Sequence, residues 1–275
     1  MVATFVIFLR EGIEASMIVA ILLAYLDRIG KREHFRDVMA GVVAALVLAG
    51  AGGVIAYLTI KTYAGSRAQT IFETCTYALA AVVLTYMTFW MRSHSRNLSV
   101  ELRARTEAAL DRRARTGLAL LSFQAVGREG IETMVFTLAI VFASSAHGVI
   151  VGGIAGLIVS MAMAFAIYHL GRRIDVGAFF KVVGALLMVF AAGLLVDTVQ
   201  NAQELGWISW LTHPVWNTSS WLSESSTLGD IFHSFFGYSQ SPSVLQVIVY
   251  VVYLALALTI FFRLRPPLTP AEEPK

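Results

Sequence analysis

The pentapeptide Arg10-Glu11-Gly12-Ile13-Glu14 returns as Arg128-Glu129-Gly130-Ile131-Glu132, and each copy places three charges inside an otherwise apolar run. On a soluble helix such a cluster is ordinary surface. In a run of about 20 apolar residues, the length that spans a bilayer, each charge costs roughly 3 kcal/mol on insertion scales. A chain that keeps the cluster must give it partners or a use, and two copies suggest one site built from two halves.

The rest of the chain supports the membrane setting. Of its 275 residues, 57% are hydrophobic and 14% charged, too apolar for a soluble domain of this length. The predicted fold is a single all-α polytopic membrane domain with spans at about 2–26, 38–60, 68–91, 117–143, 147–170, 177–199 and 244–262. This divides the chain into a first repeat at about 1–91, a cytoplasmic helical linker at 92–116, a second repeat at 117–199, an outer loop at 200–243 and a seventh helix at 244–262.

Basic residues fall almost entirely on one side of this layout. Arg28, Lys31, Arg32 and Arg36 occupy the first connection; Arg92, Arg96, Arg103, Arg105, Arg112, Arg113 and Arg115 the third; Arg172 and Arg173 the fifth; and Arg263, Arg265 and Lys275 the tail. Lys61 and Arg67 alone face the other side. By the positive-inside rule the N-terminus lies outside and the C-terminus in the cytoplasm, an arrangement that needs an odd number of spans. The net charge of +3 therefore belongs to orientation and not to a nucleic-acid partner. Cys75 is the single cysteine, which excludes intrachain disulfides and Cys-rich metal sites. The N-terminal run has no preceding basic region, so a removed signal peptide is not expected.

Each motif opens a group of three spans, and three is odd, so the second group must cross the membrane in the opposite sense to the first. Such inverted repeats place substrate sites near the midplane, where the halves meet. Helix rise puts Arg10 roughly 14 Å from the outer end of its span and Arg128 roughly 16 Å from the inner end of its own. Both are close to the middle of a core about 30 Å thick.

Within each motif the glutamates are three apart and share a helix face. Arg10 and Arg128 are positioned to pair with a carboxylate of the neighbouring helix, and Gly12, Gly127 and Gly130 to let the two motif helices approach. Four carboxylates without a thiolate make a site for a hard or borderline cation, with Glu11, Glu14, Glu129 and Glu132 as metal ligands and Arg10 and Arg128 as supporting charges. Two other readings stand beside this one. One is a structural ion-pair network. The other is an intramembrane carboxylate di-metal enzyme, disfavoured because Met17 and Val135 stand where Glu-x-x-His pairs would place histidines.

Glu73 is a further intramembrane acid, either the first ligand at the outer mouth or a proton relay, or else a carboxylate that reaches water. Lys181, near the inner end of the sixth span, snorkels to the surface. The charges at about 98–115, Glu101 and Glu107 among them, read as a solvated helix face. The stretch 200–243 holds Glu204, Glu224, Asp230, His213 and His233 with no Lys or Arg. It would concentrate cations or simply pack over the bundle, with Trp207, Trp210, Trp216 and Trp221 at the membrane interface. His147 and His169 read as interfacial.

These motifs resemble the high-affinity iron permeases, the fungal-type permease and its bacterial EfeU-type relatives. The likeness continues through Phe179-Phe180, Ala191-Ala192-Gly193-Leu194, Gln203-Glu204, Pro214-Val215-Trp216-Asn217-Thr218-Ser219 and the last span. The resemblance implies iron, Fe2+ or Fe3+, as transported substrate with no prosthetic group, and a multi-pass location in the plasma or bacterial inner membrane. It implies that the glutamates of both motifs are needed for transport. It also implies work beside an iron-oxidising partner: a multicopper oxidase, or a haem peroxidase with a periplasmic binding protein. Gln200-Asn201 stands where relatives often carry His-Glu, which leaves Glu204 as the only carboxylate of that segment and puts an outer capture role there in question. Permeation of another divalent metal, manganese or lead, is the alternative within the same site.

Overall fold

A computed structural model describes residues 1–94, 98–143, 146–170, 176–224 and 226–263. Arg96, Arg172, Arg173, Arg265 and Lys275 lie outside the described residues, as do the side chains of Arg92, Glu101, Arg103, Arg112, Arg113, His169 and Phe180.

In lipid a backbone must satisfy its own hydrogen bonds, and the apolar runs do so as helices: α1 (Val2–Arg28), α2 (Phe35–Lys61), α3 (Arg67–His94), α4 (Leu98–Ala143), α5 (Ala146–Leu170), α6 (Val176–Glu204), the short α7 (Thr227–Phe236) and α8 (Val244–Arg263). Among the described residues, five stretches are long and apolar enough to cross a membrane: 32–61, 67–91, 147–165, 181–204 and 244–263. The other two long helices, α1 and α4, are those that carry the charged pentapeptides. Val43, Val47, Ile55, Ile150, Ile158 and Met161 on α2 and α5 are exposed, a continuous apolar exterior suited to lipid contact and not to water.

The bundle packs in matched pairs. α2 lies along α4 as α1 lies along α5, while α3 packs on α6 and α1 on α4. Individual contacts repeat this exchange. A Cβ on Gly12 would stand 2.8 Å from Ser160 Cβ, and one on Gly130 2.9 Å from Ala49 Cβ. Gly41 is pressed against Ala119 and Ser122 of α4, and Gly152 against Met1 and Thr4 at the start of α1. Gly12 to Gly130, Met1 to Ala119 and Thr4 to Ser122 are all steps of 118 residues, and Gly41 to Gly152 and Ala49 to Ser160 steps of 111. The glycines therefore serve a different junction from the one expected. Gly12 admits α5 and Gly130 admits α2, with Gly127 also facing Ala45 of α2, and the α1–α4 contact does not depend on them.

Two elements depart from the sequence reading. The 98–115 stretch keeps Arg105, Glu107 and Arg115 exposed, as a solvated face should, but it also packs on the bundle. A Cβ on Gly117 would lie 2.7 Å from the carbonyl oxygen of Ala109, residues that a straight helix separates by about 12 Å. α4 thus doubles back at this point, and its first arm returns along the bundle, burying Leu102 and Thr106. Leu102 packs in one cluster with Leu22, Leu26, Val38, Leu118 and Val126, and Glu107 accepts a 2.6 Å hydrogen bond from Tyr25 of α1. Burial of an apolar stripe on the arm, invisible in a charge count, is the cause.

The 200–243 stretch is likewise more than a loop. Ser226 caps α7, its Oγ accepting from Gly229 N at 3.0 Å, and Gly237 ends it in the left-handed conformation. α7 sends Phe235 into the main core beside Ile7, Phe136, Ala139 and Phe190. Gly237 sits directly on Gly193 of α6, a junction with no room for a side chain on either partner.

Candidate metal centre

α1 and α4 cross where their charged motifs face each other. Arg10 is 2% exposed, and its fork holds both acids of its own motif: Nη1 donates to Glu11 Oε1 at 2.8 Å, and Nε lies 3.0 Å from Glu14 Oε1. On α4, Arg128 Nε donates to Glu132 Oε1 at 3.0 Å, and its guanidinium lies over the Trp90 ring, 4.6 Å from the centroid. Each arginine therefore pairs inside its own helix and not across the interface. The i,i+4 pairs Arg10–Glu14 and Arg128–Glu132 hold each guanidinium against its own helix and leave the inter-helix gap to carboxylates.

In that gap the carboxylates of Glu11, Glu14 and Glu129 each present an oxygen within 4.8 Å of the others, and all three residues are buried. Glu11 Oε2, Glu129 Oε2 and Glu132 Oε2 find no hydrogen-bond donor, and Arg10 Nη2 finds no acceptor. Buried carboxylate oxygens that no donor satisfies are costly, and a hard cation is the group that three such oxygens accommodate. Glu132, 12% exposed and tied to Arg128, stands beside this trio rather than in it.

A cavity of about 210 Å³ opens on the trio. Its lining includes Glu14 and Glu129 of the trio, Met17, Trp90, Gln124 and Arg128, and Leu102 and Arg105 of the returning α4 arm. Arg128, 43% exposed, faces this space. The two arginines thus differ: Arg10 is sealed in the bundle, and Arg128 borders a chamber.

The remaining residues singled out in the sequence lie apart from the trio. Glu73 is partly buried and accepts from Gln69 Nε2 at 2.6 Å. Glu204 ends α6, exposed, with Gln200 Nε2 at 3.3 Å. Lys181 reaches out over the Phe262 ring at 5.7 Å, and Cys75 is exposed. Asp197 is a lone acid in the sixth apolar run that the same cost rule singles out. It is 9% exposed by side chain and faces His233 of α7.

Residues 1–266 match the family model of the iron permease FTR1 family. The chain belongs to the iron permease FTR1 family. It is 34% identical over 264 residues to the ferrous iron permease EfeU of Yersinia pestis, covering 95% of this chain and 93% of that one. It is 35% identical over 267 residues to the protein of the same name from Yersinia pseudotuberculosis, with the same coverage. To that of Escherichia coli O6:K15:H31 it is 34% identical over 263 residues, 95% of each chain. No solved structure matches. Membership makes this chain a multi-pass helical iron permease, with iron as substrate, and not an enzyme.

Proposed function

We propose that the permease carries iron inward across a bacterial inner or other plasma membrane through the Glu11–Glu14–Glu129 trio. Glu132 stands as a fourth carboxylate that exchanges between Arg128 and the ion, and Arg10 and Arg128 are the fixed counter-charges. The observation that carries this reading is the convergence of three buried carboxylates from two helices, with donorless oxygens on Glu11 and Glu129. The names of the relatives point to ferrous iron as the form carried.

In this reading the chain spans the membrane seven times, N-terminus outside and C-terminus inside, as a 3+3 inverted repeat followed by α8. The charge distribution of the connections supports the orientation. The exchange of paired contacts at steps of 118 and 111 residues supports the repeat. Iron leaves the trio through the chamber bounded by Arg105 and Leu102. A periplasmic iron-binding protein and an iron-oxidising peroxidase or oxidase are the partners this reading admits.

The test is iron uptake into proteoliposomes. Glu14→Gln and Glu132→Gln should abolish it, whereas Glu101→Gln should leave it near the wild-type rate. Equal transport by all three variants would sink the site. Competition by manganese and lead in the same assay measures selectivity.

A further inference from the structure

Asp197 and His233 meet away from the trio, toward the end of the bundle where α3 begins and α6 ends. Asp197 lies seven residues before the last residue of α6, about 10 Å along the helix. Its carboxylate is buried, and His233 Nε2 stands 3.9 Å from its Oδ1. No hydrogen-bond donor to this carboxylate occurs among the described residues, although burying a carboxylate normally demands one.

The orientation of the histidine is fixed by its other nitrogen. His233 Nδ1 lies 2.8 Å from the carbonyl oxygen of Tyr238. A carbonyl only accepts, so Nδ1 carries the hydrogen, and a ring with that single hydrogen turns the lone pair of Nε2 toward Asp197. Two electron-pair donors then face each other across 3.9 Å. That gap is too wide for a hydrogen bond. A metal bonded to both at roughly 2.1 Å, with an angle between about 90° and 120°, would hold them about 3.0–3.6 Å apart, so the pair needs to close by a few tenths of an ångström or more to share an ion.

The scaffold holds both ligands in place. α7 is fixed by its Ser226 cap, by Phe235 in the core and by the Gly193–Gly237 junction. Other acids lie on the same side: Glu224 is within electrostatic range of Asp197, Glu73 and Asp197 are both within that of Tyr77, and Glu204 is within that of Glu73. The 200–243 stretch has no Lys or Arg to neutralise them.

We propose that Asp197 and His233 form a second, outer cation station, taking a borderline divalent metal from the acidic rim before the ion reaches the carboxylate trio. Only the order of the two stations rests on the uptake reading above; binding at the pair stands independently of it. An oxygen and an imidazole nitrogen suit Fe2+ or Mn2+, with water completing the coordination.

Mn2+ bound to the purified full chain in nanodiscs tests this, because the trio offers only oxygen and the outer station offers nitrogen. Equilibrium dialysis should find two bound ions, and electron spin-echo modulation from imidazole nitrogen should mark one of them. His233→Gln and Asp197→Asn should each remove the modulated ion, whereas His213→Gln and His147→Gln should retain it. The triple variant Glu11→Gln/Glu14→Gln/Glu129→Gln should keep the modulated ion and lose the other. A wild-type spectrum without nitrogen modulation, or modulation that survives His233→Gln, would overturn the proposal and leave a proton as the bridge in this pair. The wild-type spectrum, with His→Gln variants at His34, His94, His147, His169 and His213 that should all retain the modulation, decides the matter even where a His233 or Asp197 variant fails to fold. Loss of uptake in Glu14→Gln is a separate outcome that bears on the trio alone.

Discussion

Arg10 shows how the site tolerates its own charge. One guanidinium fork engages Glu11 and Glu14 together and is sealed from solvent, so removing it leaves two buried carboxylates without their nearest cation. Breaking one side of such a pair costs about 3–5 kcal/mol. Arg10→Ala should therefore lower the thermal midpoint in detergent far more than Arg128→Ala, whose side chain is 43% exposed and also rests on Trp90. Equal shifts for the two variants would contradict the asymmetry. These arginines and the four glutamates are legible in the sequence because charge inside an apolar run is expensive and therefore conspicuous. Their pairing is not legible, because an Arg-Glu-x-x-Glu motif can close on itself or reach across a helix pair. Packing of Gly12 and Gly130 against α5 and α2 decides between the two by setting which faces meet.

At the scale of elements, helix–helix contact rests on backbone approach at a few glycines. A methyl group on Gly41 would run into the Ala119 carbonyl, a backbone atom with nowhere to move, whereas one on Gly50 would meet nothing within 4 Å. Gly41→Ala should cost about 1–3 kcal/mol through overpacking, and Gly50→Ala should be neutral or slightly stabilising because alanine favours the helix. Thermal unfolding of the two variants checks this, and a tolerated Gly41→Ala would contradict the α2–α4 contact.

The long helices are legible from their apolar runs alone. The returning arm of α4 is not, because its charges dominate composition while a few residues, Leu102 and Thr106 among them, decide its packing. α7 hides for a related reason. Its ten residues are too few for a periodic signal, although the Ser226 cap and Gly237 stop are the marks by which such a helix can be found.

The whole molecule is a membrane permease whose two motif helices fail a simple hydrophobicity test because of the charged pentapeptides they carry. Its orientation has a direct test in a Cys75→Ser background. A cysteine at Ser241 should react with an impermeant reagent from outside intact cells, and one at Glu33 only after the membrane is opened; the reverse pattern would invert the topology and the direction of the proposed path. Both positions are exposed. The membrane class, the repeat and the carboxylate set follow from sequence because lipid penalises charge so heavily. The partition of the four glutamates into a trio and an Arg128-bound fourth, and the chamber beneath them, depend on side-chain packing that no spacing rule encodes. The central claim is that iron is held by glutamates of both motifs at once. An anomalous-scattering map of the iron-loaded permease measures this directly. A peak within coordination distance of Glu11, Glu14 and Glu129 is the predicted result, and an iron-loaded map with no peak touching both α1 and α4 would contradict it.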